Sequence, residues 1–485
     1  MPYRLNQGGR LIDRSKPLAF TFNGERRLGF EGDTLASALL GSGRTLMGRS
    51  FKYHRPRGLV AAGAEEPNAL MTTGTGARAE ANQRATMVEL YEGLAARSQN
   101  HWPSLEFDVG AINAAVASVA PVFSAGFYYK TFLFPRIAWK HLYEPVIRQS
   151  AGLGPAPTEP DPDEYEHYYA YTDVLVVGGG QAGLAAARAA AEAGAKVLLV
   201  EQTAHFGGRL LAETDVQIDG KPGADWAAEQ VAALEGMEGA TLRTRTQAAG
   251  LFDHGYALLY ERCGDHEPTP RGARHRLWRV RAKRIVVAAG AVERPLTFAN
   301  NDLPGVMLAS AVRDYLALWG VAPGRRVAVF ANNDDAYRTA VAAFEAGLRV
   351  PVIVDSRPVA DGPLPTQARA LGIEVRTGSV VTNAKGGKTL EAIQVGRRTA
   401  DGRIGNRVET IRCDCLAMSG GWSPVVHLFS HCGGKLAWDD EMAMFRPAPE
   451  RGAPIGDDGA VNTICAGAAN GALGVAEGLA DAVEA

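Results

Sequence analysis

The sequence predicts an α/β fold in which two successive βαβ units follow a β-rich N-terminal unit. Three observations carry this. An apolar run at 174–177 leads into Gly178-Gly179-Gly180-Gln-Ala-Gly183, an Ala-rich segment and a second apolar run closed by Glu201. The same order of strand, helix and strand recurs over 326–355. Before both, residues 20–30 have the short alternation and central Asn23-Gly24 turn of a β-hairpin.

The first βαβ unit has the GxGxxG spacing, and each glycine has a physical role. Gly178 permits the tight turn, Gly180 lets backbone N–H groups approach a pyrophosphate, and Gly183 lets the helix pack close on the strand. The helix over 181–193 ends at Gly194, and 196–200 form the second strand. Its N-terminus faces the phosphates with partial positive charge. Glu201, 23 residues after Gly178, is placed to accept hydrogen bonds from an adenosine ribose. A carboxylate there disfavours a 2′-phosphate, so NADP fits least well.

Along the rest of the chain, Asp33 and Thr34 can cap a helix over 35–40. The basic, aromatic-interleaved stretch Arg49-Ser-Phe-Lys-Tyr-His-Arg-Pro-Arg57-Gly58 reads as a loop that meets an anion or as a solvated turn. Residues 101–150 are aromatic-rich, with Trp102, Phe127, Tyr128, Tyr129, Phe132, Phe134, Trp139 and Tyr143 in no clean period. Such a segment wraps over another domain or docks a partner chain. Residues 151–167 turn Gly/Pro-rich and then acidic, as a linker does. Strands at 256–262 and 275–281 form a small antiparallel layer that leads to a buried strand and the Gly290 turn. In the second βαβ unit the turn is Ala331-Asn-Asn-Asp-Asp-Ala-Tyr337, where two carboxylates would repel a pyrophosphate. That unit reads as degenerate and as packing. The segment 463–474 is a strand, a small-residue turn and the start of a last helix. These features divide the chain into 1–100, a connecting segment 101–170, a dinucleotide-binding domain 171–295 with 416–485, and a second Rossmann-like domain 296–415.

Bulk properties limit the function. With 485 residues, 46% hydrophobic and 21% charged, the chain has ordinary globular composition. A formal net charge of −2 gives no electrostatic footprint for nucleic acid. The charge-free stretch 109–129 contains Pro121, Asn113 and many alanines, so a buried, broken segment is expected and not a membrane span. The N-terminus is not a signal peptide, and a cytoplasmic protein is expected. The five cysteines, Cys263, Cys413, Cys415, Cys432 and Cys465, include no CxxC and read as structural thiols; no metal site is expected.

Several strings are chemically unusual. Arg49-Ser-Phe-Lys-Tyr-His-Arg-Pro-Arg-Gly, Glu65-Glu-Pro-Asn-Ala-Leu, Trp102-Pro-Ser-Leu, Gly126-Phe-Tyr-Tyr-Lys-Thr-Phe and Ser419-Gly-Gly-Trp-Ser-Pro-Val-Val-His-Leu resemble the alpha subunit of heterotetrameric sarcosine oxidase, over essentially the whole chain. The resemblance implies a two-dinucleotide-binding-domain flavoprotein (Rossmann-like) fold with an N-terminal ferredoxin-like domain. It implies NAD in the GxGxxG site, where the bare motif fits FAD equally, and FMN at an interface with a partner. The implied partners are a flavin-bearing beta subunit and small accessory subunits; the implied substrate is a small secondary amine. Carried over by motif, the dinucleotide contacts Gly178, Gly180, Ala182 and Gly183. Its ribose meets Glu201 and Gln202. Gly208 and Arg209 lie near it, with Ala249 and Gly290, while Gly467, Ala468 and Leu473 close the site.

The sequence departs from the family twice. Family alpha subunits usually continue into an aminomethyltransferase-like half that binds tetrahydrofolate; these 485 residues lack it, so the chain is a fragment or folate chemistry lies elsewhere. Related amine dehydrogenases keep cysteines for a [2Fe–2S] cluster in the N-terminal domain; residues 1–100 have none. No general base is evident, and His427 and His431 read as structural. The expected function is that of an alpha subunit in sarcosine demethylation, active only with its partners. The alternatives are a subunit acting on proline, an opine or N-methylglutamate, and a scaffold with a structural nucleotide. A stand-alone disulfide reductase would need a CxxC and a second glycine-rich turn, and both are missing.

Overall fold

The computed structural model describes residues 2–119, 134–152, 154–448, 452–456 and 458–485. Phe127, Tyr128, Tyr129 and Phe132, the string beginning at Gly126, and the end of the charge-free stretch lie outside the described residues. The chain divides into two compact units, Met1–Pro162 with Pro295–Gly420 and Asp163–Arg294 with Gly421–Ala485.

In the first unit, strands Asp13–Phe22 and Glu25–Glu31 pair antiparallel across the Asn23-Gly24 turn. Positive φ at both turn residues (51° and 82°) matches the twist of a two-residue hairpin. The hairpin belongs to a five-stranded sheet with Leu70–Thr73, Glu80–Arg84 and Ala95–Ser98. The helix Leu35–Gly41 is capped by Thr34 and Ser37 reciprocally, and all seven residues are buried. Asp33 does other work: it accepts from Arg4 at 2.7 Å and from Ser37 at 2.6 Å.

The 49–58 stretch turns its cations onto carboxylates and carbonyls of the chain itself, with Phe51 half exposed. Arg49 is buried and donates to the Leu105 carbonyl, His54 meets the buried Asp108 at 2.7 Å, and Arg55 and Arg57 converge on Asp302. Its cations are taken up by partners far along the chain, which a local reading does not see. Glu66, buried in the Glu65-Glu-Pro string, accepts from the N–H groups of Val60, Ala61, Asn68 and Ala69 and closes that loop on itself.

The same unit contains a five-stranded parallel sheet. Val306–Leu308, Cys415–Ser419, Val327–Ala331, Ile353–Asp355 and Val375–Arg376 are neighbours in that order. The helix Asp335–Glu345 crosses between Val327–Ala331 and Ile353–Asp355. The turn carboxylates are paired internally: Asp334 with Arg357 at 2.7 Å and Asp335 with Arg313 at 2.8 Å. Asp355, fully buried, accepts from Arg357 and from the Tyr337 hydroxyl, both at 2.7 Å. One hydrophobic core runs from Phe20, Leu39 and Met71 to Tyr315, Val329 and Leu416.

In the second unit, Ala240–Arg243, Val197–Val200, Glu164–Val177, Ala273–Val287 and Thr463–Cys465 lie parallel in that order. Val176, Leu199 and Val286 enter a core on one face; Leu175, Val177, Leu198 and Val287 enter a core on the other. Burial on both faces explains the continuous apolar runs. The strand Glu164–Val177 starts ten residues before the apolar run and takes in the acidic end of the expected linker. Its polar half pairs with Ala273–Val287, where the Tyr168 and Trp278 rings stack at 4.8 Å. Ala273–Val287 itself is one strand where the sequence reading has two. Among the described residues no helix is long and apolar enough to cross a membrane.

The Asp302 cluster makes a pH-dependent contribution. Burial pushes its carboxyl up, but hydrogen bonds from Arg55 and Arg57 outweigh this and hold it at about 2. A depressed folded value stabilises above the unfolded value of about 3.9 and is lost as pH falls through about 2. Asp302→Asn is expected to cost about 2 kcal/mol at neutral pH and little at pH ~2, measured by urea unfolding. An equal loss at both would contradict the pairing.

Candidate functional site

The site is built where the parallel strands of the second unit end. Val177, Val200, Val287 and Cys465 are the last strand residues, and the loops that follow carry most of the residues singled out above. Such an edge is where open parallel sheets bind ligands.

Gly178 has φ 106°, and its N–H donates to the Val200 carbonyl at 2.9 Å. A Cβ on Gly183 would lie 1.8 Å from the Gly178 carbonyl oxygen, so the helix can come this close only with hydrogen there. Gly180 is the N-cap of the helix Gln181–Glu192 and provides no side-chain cap. The first helical N–H groups are thus left for a ligand. A Cβ on Gly180 would meet nothing nearer than the Gly208 Cα at 4.0 Å, leaving the approach to the backbone open. Ala182 is buried on the first turn.

Glu201 is buried and aimed at the glycine turn. Its carboxylate accepts from the Gly179 N–H at 2.8 Å and from the Thr203 N–H and hydroxyl at 2.8 and 2.9 Å. An ionised carboxylate has about four acceptor positions, so one remains for a ribose hydroxyl. Gln202 is exposed, and its carbonyl accepts from Arg262 at 2.9 Å. Gly208 packs against Gly180: a Cβ on it would be 3.0 Å from the Gly180 Cα. Arg209 stacks its guanidinium 4.0 Å above the Trp422 ring and pairs with Glu213. Gly290, φ 77°, accepts from the Val425 N–H at 2.9 Å. Ala249 sits on an exposed bulge of the antiparallel strand Thr246–Phe252, three residues beyond Thr246, whose N–H donates to the Glu201 carbonyl.

Gly467 and Ala468 open the turn Gly467–Asn470, and half-buried Leu473 precedes the helix Val475–Glu484. A Cβ on Gly467 would stand 2.5 Å from the Ala182 Cβ, which brings this turn onto the first turn of the Gln181–Glu192 helix. His427 and His431 bound a five-residue helix, and His431 meets Phe252 edge-on at 4.9 Å.

Three participants escaped the sequence reading. Gly179 donates to Glu201, accepts from the Gly207 N–H at 2.8 Å, and gives Phe206 the space of a side chain: its Cβ would be 2.4 Å from that ring. The run of three glycines was the available signal. Thr203 fixes the Glu201 rotamer, as the Glu-x-Thr spacing allows. Asp481 accepts from the Gly467 N–H and the Asn470 amide, both at 2.7 Å. It lies on a later helix, and no local pattern points to it.

The matches to known proteins agree with this geometry. Residues 172–444, more than half of the chain, match the model of the pyridine nucleotide-disulphide oxidoreductase family. The chain belongs to that family. Residues 15–101 match the model of a 2Fe-2S iron-sulfur cluster binding domain. The chain is 49% identical over 464 residues to sarcosine oxidase subunit alpha of Rhizobium meliloti (strain 1021), covering 95% of this chain and 45% of that one. It is 36% identical over 473 residues to sarcosine oxidase subunit alpha of Corynebacterium sp. (strain P-1), covering 96% and 43%. It thus spans about half the length of these curated relatives. The L-proline dehydrogenase structure from P. horikoshii superimposes with a TM-score of 0.60 at 20% identity, covering 96% of this chain and 71% of that one, a likeness of fold.

This oxidoreductase-family chain lacks the thiols of disulfide exchange. Its five cysteines are free, and burial pushes the Cys413 and Cys465 thiols up to about 12 and Cys263 to about 11. The N-terminal match does not fit a thiolate-held cluster either, since the first cysteine is Cys263.

Two substitutions test the cradle. Gly183→Ala is expected to weaken dinucleotide binding at least tenfold in a calorimetric titration, because the helix must retreat from the turn. Asp481→Ala is expected to cost about 2 kcal/mol in unfolding, the scale for charged hydrogen bonds to partly buried donors. Unchanged values would remove these roles.

Proposed function

We infer that this chain is the dinucleotide-binding portion of an alpha subunit in a sarcosine oxidase-like complex acting on CH–NH donors. The observation that carries the reading is the uncapped helix start at Gly180 facing the anchored Glu201, together with 49% identity to a sarcosine oxidase alpha subunit over nearly the whole chain. NAD is the assigned occupant and FAD the competing one. The domain limits and the thirteen contact residues, Gly178 to Leu473, belong to the same proposal. FMN is assigned to an interface with a flavin-bearing partner. A flavin bound there would supply the hydride acceptor for oxidation of the N-methyl carbon, and water would hydrolyse the resulting imine. This chain contributes the diphosphate cradle and the ribose acceptor, and its partner orients the amine. Free cysteines throughout are in keeping with a cytoplasmic location.

The purified chain is expected to be colourless, to release NAD on denaturation, and to turn over sarcosine only when co-expressed with its partner subunits. A yellow chain holding FAD would overturn the choice of nucleotide. Sarcosine turnover by the chain alone would overturn the division of labour.

A further inference from the structure

The opposite edge of the second unit's parallel sheet carries a cleft of about 450 Å³. It lies partway along the strands Glu164–Val177 and Ala273–Val287, where Val197–Val200 and Thr463–Cys465 begin, five residues and roughly 16 Å along the strand from Gly178. That volume is in the range of small-ligand sites. Its charge is unbalanced. Lys196, His254, Arg281, Lys283 and Arg284 line it, against two carboxylates, Asp173 and Asp458. Both carboxylates are already engaged, Asp173 with Lys283 at 2.7 Å and Asp458 with Arg284 at 2.8 Å. Lys196 and Arg281 have no carboxylate within ion-pair distance among the described residues.

Arg281 is held in place before any ligand arrives. Its guanidinium lies 4.9 Å from the Tyr256 ring centre, and one terminal nitrogen donates to the His254 carbonyl at 3.0 Å. His254 presents that carbonyl from a left-handed backbone, φ 60° and ψ 34°. A non-glycine residue in that region is uncommon and gathers at sites where geometry matters. Nη1 is committed to the carbonyl side, while Nε and Nη2 make the other edge of the fork, the geometry that grips a phosphate in two places. Tyr171, 71% exposed, stands at the margin of the cleft with a free ring face for a flat group.

We propose that this cleft binds a phosphate monoester carrying a flat ring, with Arg281 and Lys196 on the phosphate and Tyr171 against the ring. A monoester carries close to two negative charges at neutral pH, matching the two unpaired cations. The site is separate from the dinucleotide crevice and does not depend on its occupant.

The test is calorimetric titration of phenyl phosphate into the full chain held in saturating NAD; the probe has no adenosine half to enter the crevice. Saturable binding below 1 mM is expected. Arg281→Ala should weaken it at least tenfold, Lys196→Ala severalfold, and Arg281→Lys should fall between wild type and Arg281→Ala. All three lie on exposed positions and should keep the wild-type melting temperature, which separates lost binding from lost folding. Inorganic phosphate should bind more weakly than phenyl phosphate, and Tyr171→Ala should erase that difference. No saturation by 10 mM, or affinity unchanged in Arg281→Ala, would overturn the site. Tighter binding of hexaglutamate than of phenyl phosphate would overturn the ligand class in favour of an acidic protein segment.

Discussion

The second unit depends on one steric contact, the approach of Gly183 to the carbonyl of Gly178. With 1.8 Å between a would-be Cβ and that oxygen, no other residue lets the helix sit against the turn. Everything at the site follows from that closeness. The helix start comes within reach of the crevice, Gly180 can pack by Gly208, and Gly467 can settle on Ala182. Backbone meets backbone at the first two points, and at the third the Gly467 backbone meets the Ala182 methyl. The cradle is therefore shaped by main chain, and the side chains serve to hold main chain in place: Glu201 holds Gly179, and Asp481 holds Gly467.

This explains what could be read from the sequence. Glycine spacing and buried apolar runs are local signals, and they located the turn, the Gln181–Glu192 helix and the Val197–Val200 strand to within a residue or so. The polar half of Glu164–Val177 carries no such signal. Its stability comes from pairing with a strand more than a hundred positions later, through Tyr168 on Trp278 and Glu166 with Arg276 at 2.7 Å. Exposed tyrosines and acids next to prolines look like a linker until their partner is known. Asp481 was hidden for the same reason, since its hydrogen bonds reach back from one helix to an earlier turn.

Charge was the least local property. In the second βαβ unit, Asp334 and Asp335 read as a barrier to phosphate, and their arginines, Arg357 and Arg313, come from beyond and before the motif. Once paired, these carboxylates no longer project bare charge; they fasten the turn to its own sheet, with Asp355 joining through Arg357 and Tyr337. Repulsion of a pyrophosphate there is then weaker, and what sets this turn apart from the first is its missing glycines. The 49–58 stretch makes the same point with opposite sign: four basic or aromatic-flanked residues that suggested an anion are taken up by Leu105, Asp108 and Asp302. Distant ion pairs cannot be anticipated from spacing, because spacing carries no information about which chain segments meet.

The Glu201 arrangement also bears on nucleotide choice. Three protein donors hold the carboxylate and leave about one acceptor position on the crevice side. On the proposed reading, a ribose hydroxyl would donate into that position at no electrostatic cost. A 2′-phosphate brings no proton to donate and adds negative charge beside a buried anion that cannot turn away, because Gly179 and Thr203 fix it. Anchoring would thus make a simple acceptor into a discriminating one. A mobile glutamate could swing into solvent to admit the phosphate, and this one would have to give up three hydrogen bonds first.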